Sequence, residues 1–323
     1  MGASSSDLSE RQLSRLREVL SEMSLPHLHR LAQEYGVEIP FDALDIYTSI
    51  DAFLDGLSSE DKKKILAQYG DAGRKSTYIF ISKEKNPPIQ TVFPKAQALQ
   101  KEKPESQFWE HYPYYDEVEV DHITRTIRIR FHYLMGLIST LDERGMLKEH
   151  RLHHAGVVVY RPESRILEIR VAHKSMATKM AARIPAQLGL APFVSVDLMD
   201  EELIRAFVDW ISSLNSATIE LPISDVAGSI RITARKGMDL RTAERFNEEL
   251  KYGRLRGGHV TIEYREGYGI NFRIFFRDCH IKYTLFTNEE EIAYVIDAIE
   301  KIGGGYRFAK PGKILTEFFE KKD

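Results

Sequence analysis

GSIRITARKGMDLRTAERFNEELKYGRLRGGHVTIEYREGYGINFRIFFRDCHIKYTLF, residues 228–286, carries four short runs in which apolar and polar residues alternate, interrupted once by a helical pattern. Period-two alternation marks a strand with one face against a core, because successive side chains point to opposite faces. The inward set is Ile230 and Ile232, then Val260, Ile262 and Tyr264, then Tyr268, Ile270, Phe272, Ile274 and Phe276, and finally Ile281, Tyr283 and Leu285. The outward set is Arg231, Thr233 and Arg235, His259, Thr261 and Arg265, Asn271, Arg273, Phe275 and Arg277, then His280, Lys282, Thr284 and Phe286. That face is basic with aromatic rings interleaved. Cations neutralise phosphates while an exposed ring stacks on a base, which is how sheet platforms hold single strands. Antiparallel sheets also expose Arg, Lys and Thr simply to water, and a slip of one residue would bury the basic set. The solvated-face reading therefore stands beside the binding one.

The surrounding composition is that of a globular protein. In 323 residues, 43% are hydrophobic and 29% charged, enough for a substantial core and for more than one domain. No uncharged apolar run reaches the length of a membrane helix, so a soluble chain with no membrane partner is expected. The net charge of -3 argues against a protein wholly devoted to nucleic acid, yet the charge is unevenly spread. Residues 1–75 hold 9 Lys/Arg against 13 Asp/Glu, while Arg231 to Arg256 holds eight basic residues against four acidic ones. A local basic patch is compatible with this; a global basic field is not. Cys279 is the only cysteine, which excludes an intrachain disulfide and points to a reducing, intracellular compartment. Met1-Gly2-Ala3-Ser4-Ser5-Ser6 satisfies the short myristoylation pattern, but a flexible leader is the simpler reading.

From Ser6 to Gly70 the pattern is helical. Leu13, Leu16 and Leu20 share a face between Asp7 and Met23; Ser24 and Pro26 open a second helix closed by Gly36; Phe41 to Leu57 and a segment capped by Ser58 follow. Leu25-x-x-Leu28-x-x-Leu31-Ala32-x-Glu34-x-Gly36-Val37 resembles the first helix of SAP-type modules, many of which bind DNA. In that family a short, often Lys-bearing turn leads to the second helix, whereas here the connection from Val37 is longer and carries Asp42, Asp45 and Asp51, so residues 1–72 are expected to dock a protein. Lys75 to Pro113 contains a strand candidate, Thr77–Ile81, then a polar segment with Pro87, Pro88, Pro94 and Pro104 that reads as a linker or extended arm. Phe108, Trp109, Tyr112, Tyr114 and Tyr115 close it with too much aromatic surface to remain in water.

Alternation resumes between Glu117 and Tyr133, with Arg128, Arg130 and His132 on the polar face. His154–Tyr160 and Arg165–Val171 form a hairpin, and Ser175–Ile184 a helix with Lys174, Lys179 and Arg183 on one side that Pro185 should end or kink. Asp200–Leu214 and Asp239–Tyr252 are helical, and Asn288 with Glu291 has the form of a capping box opening a helix to Ile302. Residues 116–188 and 216–302 thus each run strands first and helix last. That order resembles curved-sheet folds of the TATA-box-binding-protein type and, with a helical module in front, the centromere protein N family of kinetochore proteins. The resemblance is one of element order and carries over no site residues.

Sites of chemistry are sparse. The segment from Gly305 to Lys313 has the wrong spacing for a phosphate loop, and Ile314 stands where a hydroxyl is needed. Gly253-Arg254-Leu255-Arg256-Gly257-Gly258 could close two guanidinium groups around a phosphate, or be a plain turn. His150 and His154 would share a helical face at metal-ligand spacing, without an evident third ligand. Glu117, Glu119 and Asp121 could hold magnesium in a nuclease, although alternating acids are commonly just solvated.

The expected fold is α+β: an acidic helical module at 1–72, a linker or arm at 73–115, and a domain at 116–323 of curved antiparallel sheet with helices on one face, in two related halves, 116–198 and 199–323. The expected function is non-enzymatic nucleic-acid binding, DNA ahead of RNA, with no cofactor, no metal and a protein partner on residues 1–72. Arg231, Arg235, Arg254, Arg256, Arg273, Arg277 and Lys282 are the candidate phosphate contacts, with Phe275 and Phe286 as stacking rings. Arg128, Arg130, Lys174, Lys179 and Arg183 form a second set. A scaffold subunit engaging acidic proteins, a nuclease, and self-association remain open alternatives.

Overall fold

The computed structural model describes residues 8–39, 45–72, 76–82, 84–100, 113–121, 124–141, 147–195, 201–221, 228–265, 268–278, 280–283 and 287–302. Residues 1–74 with 283–295 form one compact unit, and 75–282 with 296–323 form a second. The Met1–Ser6 pattern, Phe108, Trp109, Tyr112, Cys279, Thr284, Leu285, Phe286 and the Gly305–Ile314 segment lie outside the described residues.

The first unit is built on helices α1 (Glu10–Ser21), α2 (Leu25–Glu34), α3 (Ile46–Gly56) and α4 (Ser59–Tyr69). Their starts are set by side chains that accept the otherwise orphaned backbone N–H groups of the first turn. Ser9 and Gln12 form a reciprocal capping box on α1, Asp45 accepts from Tyr47 and Thr48 on α3, and Ser58 accepts from Asp61 on α4. Leu16, Leu20, Leu28, Leu31, Ile50, Phe53, Leu54 and Ile65 fill the core between these helices. The last helix of the chain, α9 (Glu289–Ile302), begins in this unit with the expected box: Glu291 N–H donates to Asn288 Oδ1 at 2.9 Å and Asn288 N–H to Glu291 Oε2 at 3.0 Å.

The second unit is organised on one sheet of, among the described residues, eleven strands. In chain order it contains β1 (Ser76–Ser82), α5 (Ile89–Gln97), β2 (Tyr114–Asp121), β3 (Thr126–Leu141), β4 (Leu147–Arg161), β5 (Ile166–Val171), α6 (Lys174–Leu188) and β6 (Phe193–Ser195). It continues with α7 (Glu201–Trp210), β7 (Ser213–Glu220), β8 (Ser229–Thr233), α8 (Glu244–Tyr252), β9 (Arg254–Arg265), β10 (Tyr268–Phe275) and β11 (His280–Tyr283). The strand order is β2-β3-β4-β5-β1-β11-β10-β9-β7-β8, with β6 paired to β1.

Two expectations are corrected here. The proline-bearing segment after Ser82 is no free arm: α5 forms within it and buries Val92 and Ala96 in the main core, while β1 is the central strand between the halves. Tyr114 and Tyr115 are buried, and the Tyr115 hydroxyl donates to Gln187 Oε1 at 2.6 Å, so the end of that segment docks as its aromatic content requires. Pro185 does not end α6 either. The helix runs to Leu188 and closes on left-handed Gly189, with Leu190 N–H reaching Pro185 O and Gly189 N–H reaching Ala186 O, the same closure that Gly36 gives α2.

Each half of the sheet carries its helices on one face, and that face changes between halves. On β2 to β5 and β1, the side bearing Ile127, Ile129, Phe131, Val158, Tyr160, Leu167, Ile169, Tyr78 and Phe80 is covered by α5 and α6. On β7 to β11, the side bearing Val260, Ile262, Ile270, Phe272, Ile274 and Ile281 is buried, and α7 sets Phe207 edge-on to Phe276 at 5.5 Å. Register makes these opposite sides: Tyr78 of the first core is the cross-strand partner of His280, whereas Ile281 is that of Thr77.

The reverse side of the first half holds buried charge. Arg161 Nε donates to Glu168 Oε1 and Arg170 Nη2 donates to Glu168 Oε2 at 3.0 Å, with Glu168 fully buried. Asp297 on α9 lies 3.8 Å from Arg161, and burial followed by repulsion from Asp297 pushes the Glu300 carboxyl up to about 7. Between its ordinary 4.5 and about 7, Glu300 is protonated in the fold and ionised in the unfolded chain. Its contribution therefore lowers stability as pH rises through that window. Urea unfolding midpoints measured across it should drop more steeply for the natural chain than for Glu300→Gln; equal slopes would refute the assignment.

Candidate nucleic-acid interface

The inward and outward sets of residues 228–286 segregate to the two faces largely as their alternation implies. Ile230 and Ile232 are only half-buried because β8 is the edge strand, and Tyr268 is exposed because a register shift follows it. What the other face presents follows from register. One row runs Thr233 on β8, Ser216 on β7, His259 on β9 and Arg273 on β10. The adjacent row runs Arg231, Thr218, Gly257 and Phe275, and Phe275 stacks on His280 of β11 with centroids 4.2 Å apart and planes 12° from parallel. Lys282 follows on β11, two residues beyond His280 and exposed. No described helix packs across these rows: Arg231, Thr233, Asn271 and Lys282 are exposed, and His259, Arg273, Phe275 and His280 half-buried. From β8 to β11 the face spans about 19 Å at ~4.8 Å per strand.

The charges on this face divide into tied and untied groups. Arg231, Arg273 and Lys282 make no ion pair with a described residue, and neither do Arg235, in the turn after β8, and Arg277, in the turn after β10. Arg256 is held by Glu220, and Lys174 by Asp278 at 2.6 Å, so both leave the candidate set as first proposed. Arg254 is exposed at the start of β9 opposite Glu220. The Arg273 guanidinium lies 5.8 Å from the centre of the Phe275 ring, so Phe275 is no isolated platform. It stands in a stack with His280, while its partner on β9, Gly257, leaves that flank without a side chain.

Burial lowers the His259 imidazole below its ordinary 6.5, and the charges of Arg273 and Arg231 lower it further. His280 is lowered first by burial and also by Lys174 and Lys282, against the opposing pull of Asp278. Both rings are thus mostly neutral at pH 7 on a face with fixed positive charge.

The second candidate set does not stay together. Arg128 is buried and bound to Asp121 at 2.6 Å, and Arg130 is half-buried on the same side as Glu168 and Arg170, away from the open face. Alternation placed both on a polar face, but that face is covered in this half. Lys179 and Arg183 are exposed on α6, on the same side of the sheet as the open rows, with the Arg183 charge acting on the Tyr115 hydroxyl.

Other motifs dissolve into regular structure. Gly257 and Gly258 are strand residues rather than a loop. An added Cβ at Gly257 would meet Ile274 O at 2.4 Å, and one at Gly258 would meet Ser216 O at 2.5 Å, so these glycines let backbones approach. His150 and His154 lie on β4, where four residues span about 13 Å rather than one helical turn. Among the described residues no group of three His, Cys, Asp or Glu side chains is placed to hold a metal ion. No helix among them is long and apolar enough to cross a membrane.

Thr218 is the contributor that sequence reasoning missed, with the buried Ser216 beside it on β7. The helical pattern of α7 ran on to Leu214 by spacing alone, although the chain is already extended at Ser213. The β-branched Thr218 and Ile219 ahead of Pro222 were the available signal. No protein-family model matches the chain, and no curated protein matches it.

Proposed function

We propose that the protein is a binding protein whose open half-sheet, β8-β7-β9-β10-β11, holds a nucleic-acid strand with unpaired bases. The observation that carries this is the set of untied cations Arg231, Arg273 and Lys282 beside the Phe275–His280 stack, on the one half-face that no described helix covers. Placing like charges together without carboxylate partners costs folding energy, and a polyanion compensates it. The hydroxyls of Thr218, half-buried, and Thr233, exposed, lie in the same rows as neutral phosphate donors, while Ser216 between them is buried. A base extends the existing ring pair over Gly257, which makes the platform tolerant of sequence. The acidic excess of residues 1–75 repels a phosphate backbone, which supports reading the helical unit as a protein-docking module.

Fluorescence anisotropy with labelled single-stranded DNA, single-stranded RNA and duplex DNA tests this reading. Single strands should bind ahead of duplex. With three phosphate contacts, affinity should fall about 20-fold between 50 and 200 mM salt. Binding that ignores salt, or that an acidic protein displaces while oligonucleotides do not, would favour the scaffold alternative.

A further inference from the structure

Resting on that reading, we infer that Arg231, His259 and Arg273 form a phosphate site that takes up a proton as it fills, so that a bound strand is held more tightly as pH falls below neutrality. His259 is the direct cross-strand partner of Arg273 on β10 and of Ser216 on β7, and Arg231 stands on β8 one residue pair along, opposite Thr218. Both guanidinium charges act on the imidazole. The groups around His259 on this face are Arg273, Asn271 and Phe275 from β10, Ser216 and Thr218 from β7, and Arg231 and Thr233 from β8. Its own strand adds Gly257 and Thr261, and β11 adds His280 and Lys282 beyond Arg273. The carboxylates are engaged or distant: Glu220 is bound to Arg256, and Glu263 lies four residues along β9, about 13 Å away.

An empty site therefore contains two permanent cations and a half-buried imidazole whose protonation is opposed first by burial and then by their charge. Their charge reverses in effect once a phosphate oxygen sits between them. The anion offsets the guanidinium field and accepts a stronger, charge-assisted bond from an imidazolium N–H than from a neutral ring, so the bound state favours imidazolium. Affinity then rises with acidity across the interval between the empty-site and filled-site titrations of His259, and is flat outside it.

The test uses the full chain and inorganic sulfate, a tetrahedral anion whose own charge is constant over this range. The His259 ring resonance, identified by its loss in His259→Gln, is titrated by NMR with and without saturating sulfate at fixed ionic strength. The expected result is an upward move of its titration midpoint by on the order of one pH unit. No move, or a move confined to His280, overturns the inference using the natural chain alone. A labelled single-stranded oligonucleotide separates it from the reading on which it rests. If sulfate moves His259 but no oligonucleotide binds, the anion site stands and the nucleic-acid reading falls. If the oligonucleotide binds the natural chain equally well at every pH, the nucleic-acid reading stands and the proton-coupled site falls. Loss of the pH dependence in His259→Gln but not in His280→Gln supports both.

Discussion

Replacing Arg231 and Arg273 together by glutamate should weaken single-strand binding by more than about 100-fold, since each lost charge-assisted contact contributes about 1.5–3 kcal/mol and the new carboxylates repel phosphate. Neither arginine makes an ion pair with a described residue, so the thermal midpoint should shift little. Loss of affinity with an intact melting transition is the result that supports the open face. Lys179→Glu on α6 should cost much less, because that side chain lies beside the rows rather than in them. If the double substitution leaves affinity within a few-fold while Lys179→Glu destroys it, the interface lies on α6 and the sheet-face assignment is wrong.

The largest stability effect should come from a position with no role in binding. Burial alone would raise the Glu168 carboxyl, but Arg161 and Arg170 outweigh it and hold the group below its ordinary range. Glu168→Gln removes the one carboxylate that both buried guanidinium groups share, at a cost of about 3 kcal/mol, which lowers the melting temperature by on the order of 10 °C. Replacing the three residues together, Arg161→Met, Glu168→Leu and Arg170→Met, should recover most of that loss, because no unpaired charge remains. A single Glu168→Gln variant that melts with the natural chain would show that the cluster is wetter than its burial implies. The same cluster sets the acid limb of stability: Glu168 holds a depressed carboxyl, so its contribution is present above the ordinary carboxylate range and lost as pH falls. Glu300 acts in the other direction, and together they place the optimum on the acidic side of neutrality.

Much of this architecture is written locally. The α+β class, the helix starts at Ser58 and Asn288, the β4–β5 hairpin and the two faces of β9 and β10 all depend on spacing of two or of three to four residues and on side chains capping their own first turn, whereas the caps Ser9 and Asp45 were not read from the sequence. Such short-range rules survive whatever the rest of the chain does. The boundary between α7 and β7 was not legible, because Leu214 satisfies the helical stripe and the strand equally well.

Residue spacing alone assigns side chains to faces: Arg231 with Thr233, His259 with Thr261, Arg273 with Phe275, and likewise Arg128 with Arg130. Which of those faces meets water is settled by long-range packing. Arg128 and Arg273 have the same alternating surroundings, yet one is buried against Asp121 and the other stands open. Both arginines lie opposite the helices of their own half, yet the reverse side of the first half is closed over Arg128, Glu168 and Arg170, whereas no described helix crosses the rows of the second. That is a property of strand order and crossover across some two hundred residues, which no local period of two or 3.6 records.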